Sequence, residues 1–239
     1  MSATAKPAAA CSMAVASALA ATDDGAQPWP PEASAGRLPE QLLQIRRAQI
    51  RLAVWQRSLR PELSRWLAVA VRPDAQHLQA SFDPQQPEPE AVGGFLLRSL
   101  NRADLPASLF AHWHRDVLHL LQITRRIAPQ SVVLRLRLQR LEDAGCPLFH
   151  VDRVPLRMLC AYVGAGAQWL PEAALDRSRL GTGTNASVRD WSAVRALAGG
   201  EVAVLKGERY PGNAGRGLVH RSPPASAQSP RVVLAIDFG

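Results

Sequence analysis

The residues whose types and spacing could do chemistry lie toward the C-terminal end, in FHVDRVPLRMLCAYVG and GLVHRSPPASAQSPRVVLAIDF. In an extended chain His150 and Asp152 point the same way, because side chains alternate with a period of two. They can therefore offer one imidazole and one carboxylate to a single point. His220 follows 70 residues later in another β-like run, and can supply a third ligand from a neighbouring strand. Two histidines and a carboxylate on one face leave open octahedral positions, as non-haem iron(II) needs to bind a co-substrate and oxygen. Arg231 lies 11 residues beyond His220, after the turn SPPASAQSP, and a hairpin of that length would bring it alongside the metal. A buried guanidinium there can hold the distal carboxylate of an oxo acid through two parallel hydrogen bonds.

Each residue alone has a plainer reading. His150 beside Phe149 could be a hydrogen-bonded core histidine, and Asp152 beside Arg153 a surface ion pair of little energetic weight. The order and spacing of all four residues together favour the metal site. Tyr162 shares the parity of Asp152, Val154, Leu156, Met158 and Cys160, so it is expected to face the same interior. There it would either touch the co-substrate or simply pack. Arg153 and Arg221 adjoin ligands and would orient substrate or face solvent. A rival set, His112, Asp116 and His119, falls on one face of a predicted helix. That face is the hydrophilic one, opposite the leucine stripe, and solvation explains it more simply. Cys146 and Cys160 bracket His150, but their spacing matches no zinc pattern, and small buried hydrophobes are the preferred reading.

The elements that must position these residues follow from periodicity. Residues 1–36 are small, polar and proline-rich toward their end (QPWPPEASAG), and read as a disordered leader. Over 37–130 the chain reads as mainly helical. LPEQLLQIRRAQ has helical spacing, IRLAVW suits a short strand, and Pro61 opens a short helix from its first turn. DPQQPEPE is a turn-rich linker. Within 106–127, Leu109, Trp113, Val117, Leu120, Leu121 and Thr124 recur at three- and four-residue steps, predicting an amphipathic helix. The period changes at SVVLRLRLQRLED, where Leu134, Leu136 and Leu138 alternate with polar residues as in a strand with one wet face. From 131 to 239 the chain reads as strands separated by Gly and Pro. Helices first and strands afterwards predict an α+β fold with the helices packed outside a sheet or barrel.

Composition narrows the function classes. The formal charge is +8, and residues 37–72 hold eight arginines against Glu40 and Glu62, but the only lysines are Lys6 and Lys206. No base-reading motif is interleaved with the arginines, so a nucleic-acid partner is not expected. Three cysteines (Cys11, Cys146 and Cys160) do not make a disulfide scaffold and fit a reducing compartment. Residues 7–21 look superficially like a signal peptide but carry too little Leu, Ile or Phe, and no run is long enough to span a membrane. A cytoplasmic protein with no membrane partner is expected.

The order H-x-D, a strand ending near a Tyr and a Gly-rich turn, a distal His and then an Arg resembles the iron(II)/2-oxoglutarate-dependent oxygenases. The likeness covers about residues 131–239. It implies a double-stranded β-helix of the cupin type, with His150, Asp152 and His220 matching the metal triad and Arg231 the oxo-acid anchor. Its expected cofactors are Fe(II) and 2-oxoglutarate, acting on a substrate the sequence does not reveal. Those oxygenases often carry Ser or Thr two residues after the Arg, where this chain has Val233. LAVWQR, FHVDRVPLRMLCAYVG and KGE…GRGLVHRSPP look more closely like a bacterial family known only as a domain of unknown function. The alternative it leaves open is a cupin-like metal-binding or metal-homeostasis protein without oxygenase activity.

Overall fold

The computed structural model describes residues 28–101, 105–143 and 145–239. Thirteen elements of regular structure organise them, in chain order β1 (Ala33–Gly36), β2 (Leu52–Trp55), α1 (Pro61–Ala70), β3 (Gln79–Phe82), α2 (Pro89–Arg98), α3 (Ala107–Ile127), β4 (Leu134–Leu141), β5 (Leu156–Val163), β6 (Gln168–Trp169), β7 (Arg195–Ala196), β8 (Val202–Lys206), β9 (His220–Arg221) and β10 (Arg231–Phe238). Proline stands in the first turn of both α1 and α2, where its missing N–H costs nothing.

The fold is a mixture of helices and strands built on one large sheet. Its seven strands run in the order β1-β2-β8-β5-β10-β4-β3, and a second sheet of three strands runs β7-β6-β9. All pairings in the large sheet are antiparallel except β1 on β2. Strand alternation then divides the side chains between two faces. Leu134, Leu136 and Leu138 of β4, Leu156, Met158, Cys160 and Tyr162 of β5, and Val232, Leu234, Ile236 and Phe238 of β10 share one core with the buried stripes of α1 and α3. In α3 that stripe is Trp113, Val117, Leu120, Leu121, Thr124 and Ile127, spaced as the sequence predicts. Burying each large apolar side chain contributes about 1.5–3 kcal/mol, so this face anchors the sheet. The opposite face carries Arg157 and Leu159 of β5 and Arg231, Val233 and Ala235 of β10, and it lines a cavity.

Three expectations need correction. The leader does not extend to residue 36, because β1 pairs with β2 and Trp29 stacks on Trp169 with ring centroids 5.9 Å apart. Its Pro-rich composition hid a short strand that has no helical or alternating pattern to read. LPEQLLQIRRAQ forms a 3-10 helix over Pro39–Arg46 rather than an α-helix, burying only Leu42 and Ile45. The segment 37–130 also gives β2 and β3 to the large sheet, in addition to its helices. The predicted strand at LAVW, the helix from Pro61 and the strands at β4, β5, β8 and β10 lie where the periodicity puts them. No helix of the described residues is long and apolar enough to cross a membrane. Cys11 lies outside the described residues.

Candidate metal centre

His220 lies in β9, and Trp169 of β6 is its register partner on one side. On the other side His150 forms an isolated antiparallel bridge with it, each backbone N–H donating to the other's carbonyl at 3.0 Å. This pair of hydrogen bonds holds the two imidazoles together, with ring centroids 4.7 Å apart. Asp152 comes in from the bend that precedes β5. Two glycines let that bend lie close: a Cβ at Gly207 would stand 2.1 Å from the Val154 carbonyl oxygen, and one at Gly217 would stand 2.1 Å from Val151 Cγ1. Glu208 N–H also donates to the Asp152 carbonyl at 2.9 Å. The backbone on both sides of the carboxylate is thereby fixed.

The ligand atoms of His150, Asp152 and His220 lie within 4.8 Å of one another, and no other group of three metal-binding side chains forms among the described residues. His150 Nε2 is 3.7 Å from Asp152 Oδ1, and His220 Nε2 is 3.4 Å from Asp152 Oδ2. His150 Nδ1 faces the Leu148 carbonyl at 2.9 Å and His220 Nδ1 faces the Leu218 carbonyl at 3.2 Å. A carbonyl only accepts, so each Nδ1 carries a proton and each Nε2 is the atom turned toward Asp152. Burial pushes the His220 imidazolium down to about 4, with Asp152 working in the other direction, so this ring is neutral at pH 7.

Asp152 is 8% exposed, and its Oδ2 is buried with no hydrogen-bond partner. An unsatisfied buried carboxylate oxygen is costly, and a cation between it and the two Nε2 lone pairs would remove that cost. The donor set fits a divalent metal on these grounds: two imidazole Nε2 atoms and a carboxylate oxygen converge, and the Nδ1 of each ring is engaged by a backbone carbonyl. Oδ1 instead accepts from Arg157 Nη1 at 2.5 Å. Arg157 also donates through Nε and Nη2 to Asp237, at 2.5 and 3.0 Å. Burial opposes its charge, but Asp237 and Asp152 hold its pKa above the ordinary arginine value. Arg157 therefore orients the metal-side carboxylate from the sheet. The sequence reading missed it because it treated residues 150–163 as one continuous strand. The chain bends over 153–155, ahead of Pro155, and β5 starts only at Leu156, so parity does not carry across.

The same break misplaces Tyr162. It faces the helices, not the cavity, packing edge-to-face on Trp113 and donating its hydroxyl to Asp116 Oδ2 at 2.6 Å. Burial raises its pKa well above the usual tyrosine value. Tyr162 is thus a packing residue and is not available to a co-substrate. Asp116 is in turn held by both Nη atoms of Arg57, while His119 on the same helix face is exposed and His112 half-buried. Cys160 lies on the helix side as well, where burial pushes its thiol up to about 11. Cys146 is exposed and lines the cavity. Arg153 is exposed, and Arg221 lines the cavity.

That cavity, about 140 Å³, is bordered by His150, Arg157, His220 and Arg231, with Leu141, Leu159, Leu197 and Val233 among its apolar walls. It exceeds by about tenfold the room that one water needs. Arg231 is 4% exposed, donates through Nε to the Ala165 carbonyl at 2.7 Å, and leaves Nη1 buried with no partner. Among the described residues no carboxylate comes within ion-pair distance of it, and burial lowers its pKa to about 10. The structure thus brings Arg231 into one cavity with His150 and His220.

No curated protein matches the chain. Among solved structures, similarity extends to a prolyl-4-hydroxylase of Pseudomonas putida (9% identity, 84% of this chain and 98% of that one, TM-score 0.41). It also extends to HygX of Streptomyces hygroscopicus with iron bound (15% identity, 76% and 87%, TM-score 0.35) and to a cupin protein of Bacteroides fragilis (14% identity, TM-score 0.26). The match to the cupin spans 44% of this chain and 64% of that one. At the level of sequence, the family described as "Protein of unknown function (DUF1826)" matches residues 36–237, and the chain belongs to it.

Proposed function

We propose that the protein is an iron(II)- and 2-oxoglutarate-dependent oxygenase, with His150, Asp152 and His220 as metal ligands and Arg231 as the anchor for the oxo acid. The observation that carries this reading is Arg231. A guanidinium buried without a counter-ion is expensive, and here it borders the same cavity as the two histidines. An oxo acid would satisfy both ends of that cavity, with one carboxylate on Arg231 and the 2-oxo acid end toward the triad. In this reading the strands of residues 131–239, extended at the edges of the large sheet by β1, β2 and β3, form the double-stranded β-helix of the cupin type, and the helices pack outside it.

Iron(II), when bound, supplies oxygen activation and the oxidation of an unreactive C–H bond. The chain's own residues do the rest. The Leu148 and Leu218 carbonyls fix the imidazole tautomers, and Arg157 orients Asp152. Leu141, Leu159 and Val233 contribute apolar surface to the cavity wall, and low-dielectric surroundings strengthen a charge pairing such as that of Arg231. The test is metal analysis of anaerobically purified protein, followed by anaerobic titration with 2-oxoglutarate. Stoichiometric iron and a new iron-to-oxo-acid charge-transfer band are expected. Bound metal with no band at millimolar 2-oxoglutarate would replace this reading with a metal-binding protein that is not an oxygenase.

A further inference from the structure

Arg231 is not the only cavity arginine without an acidic partner. Arg221 follows the ligand His220 and borders the same cavity. Its Nε donates to Gln168 Oε1 at 2.8 Å and its Nη1 to the Pro147 carbonyl at 3.4 Å, both neutral acceptors. Its guanidinium carbon lies 4.6 Å from the Phe149 ring centroid and 5.1 Å from that of Trp191, and Trp191 is 54% exposed. Two aromatic rings and an amide thus hold this side chain in place without neutralising it. Arg157, by contrast, is fully engaged by Asp152 and Asp237, and Arg137 donates to Asp237 at 3.3 Å. Of the charged groups on the cavity wall, Glu201 is the remaining acid, and its Oε2 accepts from Ala198 N–H.

The cavity therefore presents two guanidinium groups that lack counter-ions, one deep and one toward the exposed indole. If the deep one takes the oxo acid, the second is left for the molecule that is oxidised. Leu141, Leu159, Leu197 and Val233 add apolar surface to a cavity wall that also carries polar and charged groups. We infer that the substrate is a small carboxylic acid with an apolar portion, whose carboxylate pairs with Arg221. The inference rests on reading this cavity as an oxygenase site. The rings against Arg221 hold a rigid, planar fork of donors, which suits an in-plane carboxylate.

The test uses the full chain and two probes of equal shape, benzoate and benzamide, with affinities measured by ligand-detected NMR. The Arg231→Met variant serves as the parent, so that the deep arginine cannot bind the acid. Benzoate is expected to bind about tenfold or more tighter than benzamide, the weight of one charge-assisted hydrogen bond. Adding Arg221→Gln should abolish that preference, and Arg221→Lys should keep part of it, which separates lost charge from lost fold. In the Arg231-intact background Arg221→Gln should leave 2-oxoglutarate affinity unchanged. Equal binding of benzoate and benzamide, or a preference that survives Arg221→Gln, would overturn the inference. Absence of 2-oxoglutarate binding by wild type would instead remove the oxygenase reading, while the Arg221 comparison stands by itself.

Discussion

Arg231→Met should make the free protein no less stable, and weaken 2-oxoglutarate binding severely. Methionine is the apolar choice because its unbranched stem follows that of the arginine, which runs close to Gly164, where an added Cβ would stand 2.8 Å from Arg231 Cγ. In the unliganded protein the substitution deletes one hydrogen bond, Nε to the Ala165 carbonyl, and one buried charge whose Nη1 is unpaired. A net hydrogen bond contributes about 0.5–1.5 kcal/mol, while an unsatisfied buried polar group costs about 1–3 kcal/mol. The two effects offset, so melting temperature should hold or rise. With 2-oxoglutarate the balance changes, because truncating one partner of a buried charge pair costs roughly 2–5 kcal/mol. That corresponds to about 30- to 5,000-fold in affinity. Arg231→Lys should retain part of the binding, as a point charge without the bidentate fork. The assay pairs thermal denaturation with anaerobic titration of the charge-transfer band. A residue that only supports the fold would show the reverse pattern, a lower melting temperature and unchanged affinity, and that result would refute the anchoring role.

Five further outcomes follow from the same geometry. Alanine at His150, Asp152 or His220 should each remove most of the bound metal, measured by elemental analysis, because two ligands hold it poorly. Asp116→Ala should leave metal content intact yet lower stability by about 3–5 kcal/mol in denaturant melts, since it strands the Arg57 guanidinium. Arg157→Met should weaken metal binding by about 10- to 100-fold in competition with a chelator, as loss of a ligand-orienting group does. Metal-free protein should lose stability as pH falls. His220 has a folded-state pKa near 4 against 6.5 when free, so the unfolded chain binds the extra proton first, between those values. Stability should be full above pH 6.5 and fall toward pH 4, and His220→Gln should flatten that part of the profile in a urea series. A chain beginning at Arg37 should melt roughly 5–10 °C below one beginning at Pro28, because it lacks β1 and the Trp29–Trp169 stack.

How much of this was legible in the sequence depended on whether local periodicity survived the tertiary fold. The α3 stripe and the alternation in β4 bury one face each, so a count of apolar spacings locates them, whereas β10 is a continuous apolar run buried on both faces. The approach of His150, Asp152 and His220 was inferable because two of the three need only a short local offset, and β9 is a strand whose partner is the His150 segment. Parity beyond Asp152 was not inferable. The bend ahead of Pro155 resets the pleat, turning Tyr162 toward the helices and Arg157 toward the metal side. A proline five residues after the first histidine was the available signal, since it cannot continue a ladder in a central strand. The strand β1 was not legible either, because ASAG carries no pattern and its pairing with β2 depends on a partner fixed elsewhere in the chain.

The arginines make the last step possible, and composition alone misdirects it. An Arg-rich chain of formal charge +8 suggests a polyanion partner, but the charge is distributed by pairing and not by count. Arg57 is spent on Asp116, Arg157 on Asp152 and Asp237, and Arg177 on Glu172. These pairs tie α3 to the strand segment after β2, the metal loop to β5 and β10, and the Glu172 turn to the segment after it. Arg221 and Arg231 have only neutral partners, and both border the cavity that holds His150 and His220. A buried guanidinium without a carboxylate is costly unless an anion visits it, and Arg231 is the buried one of the two. Under the proposed oxygenase reading, the oxo acid would be the anion for Arg231 and a substrate carboxylate the anion for Arg221.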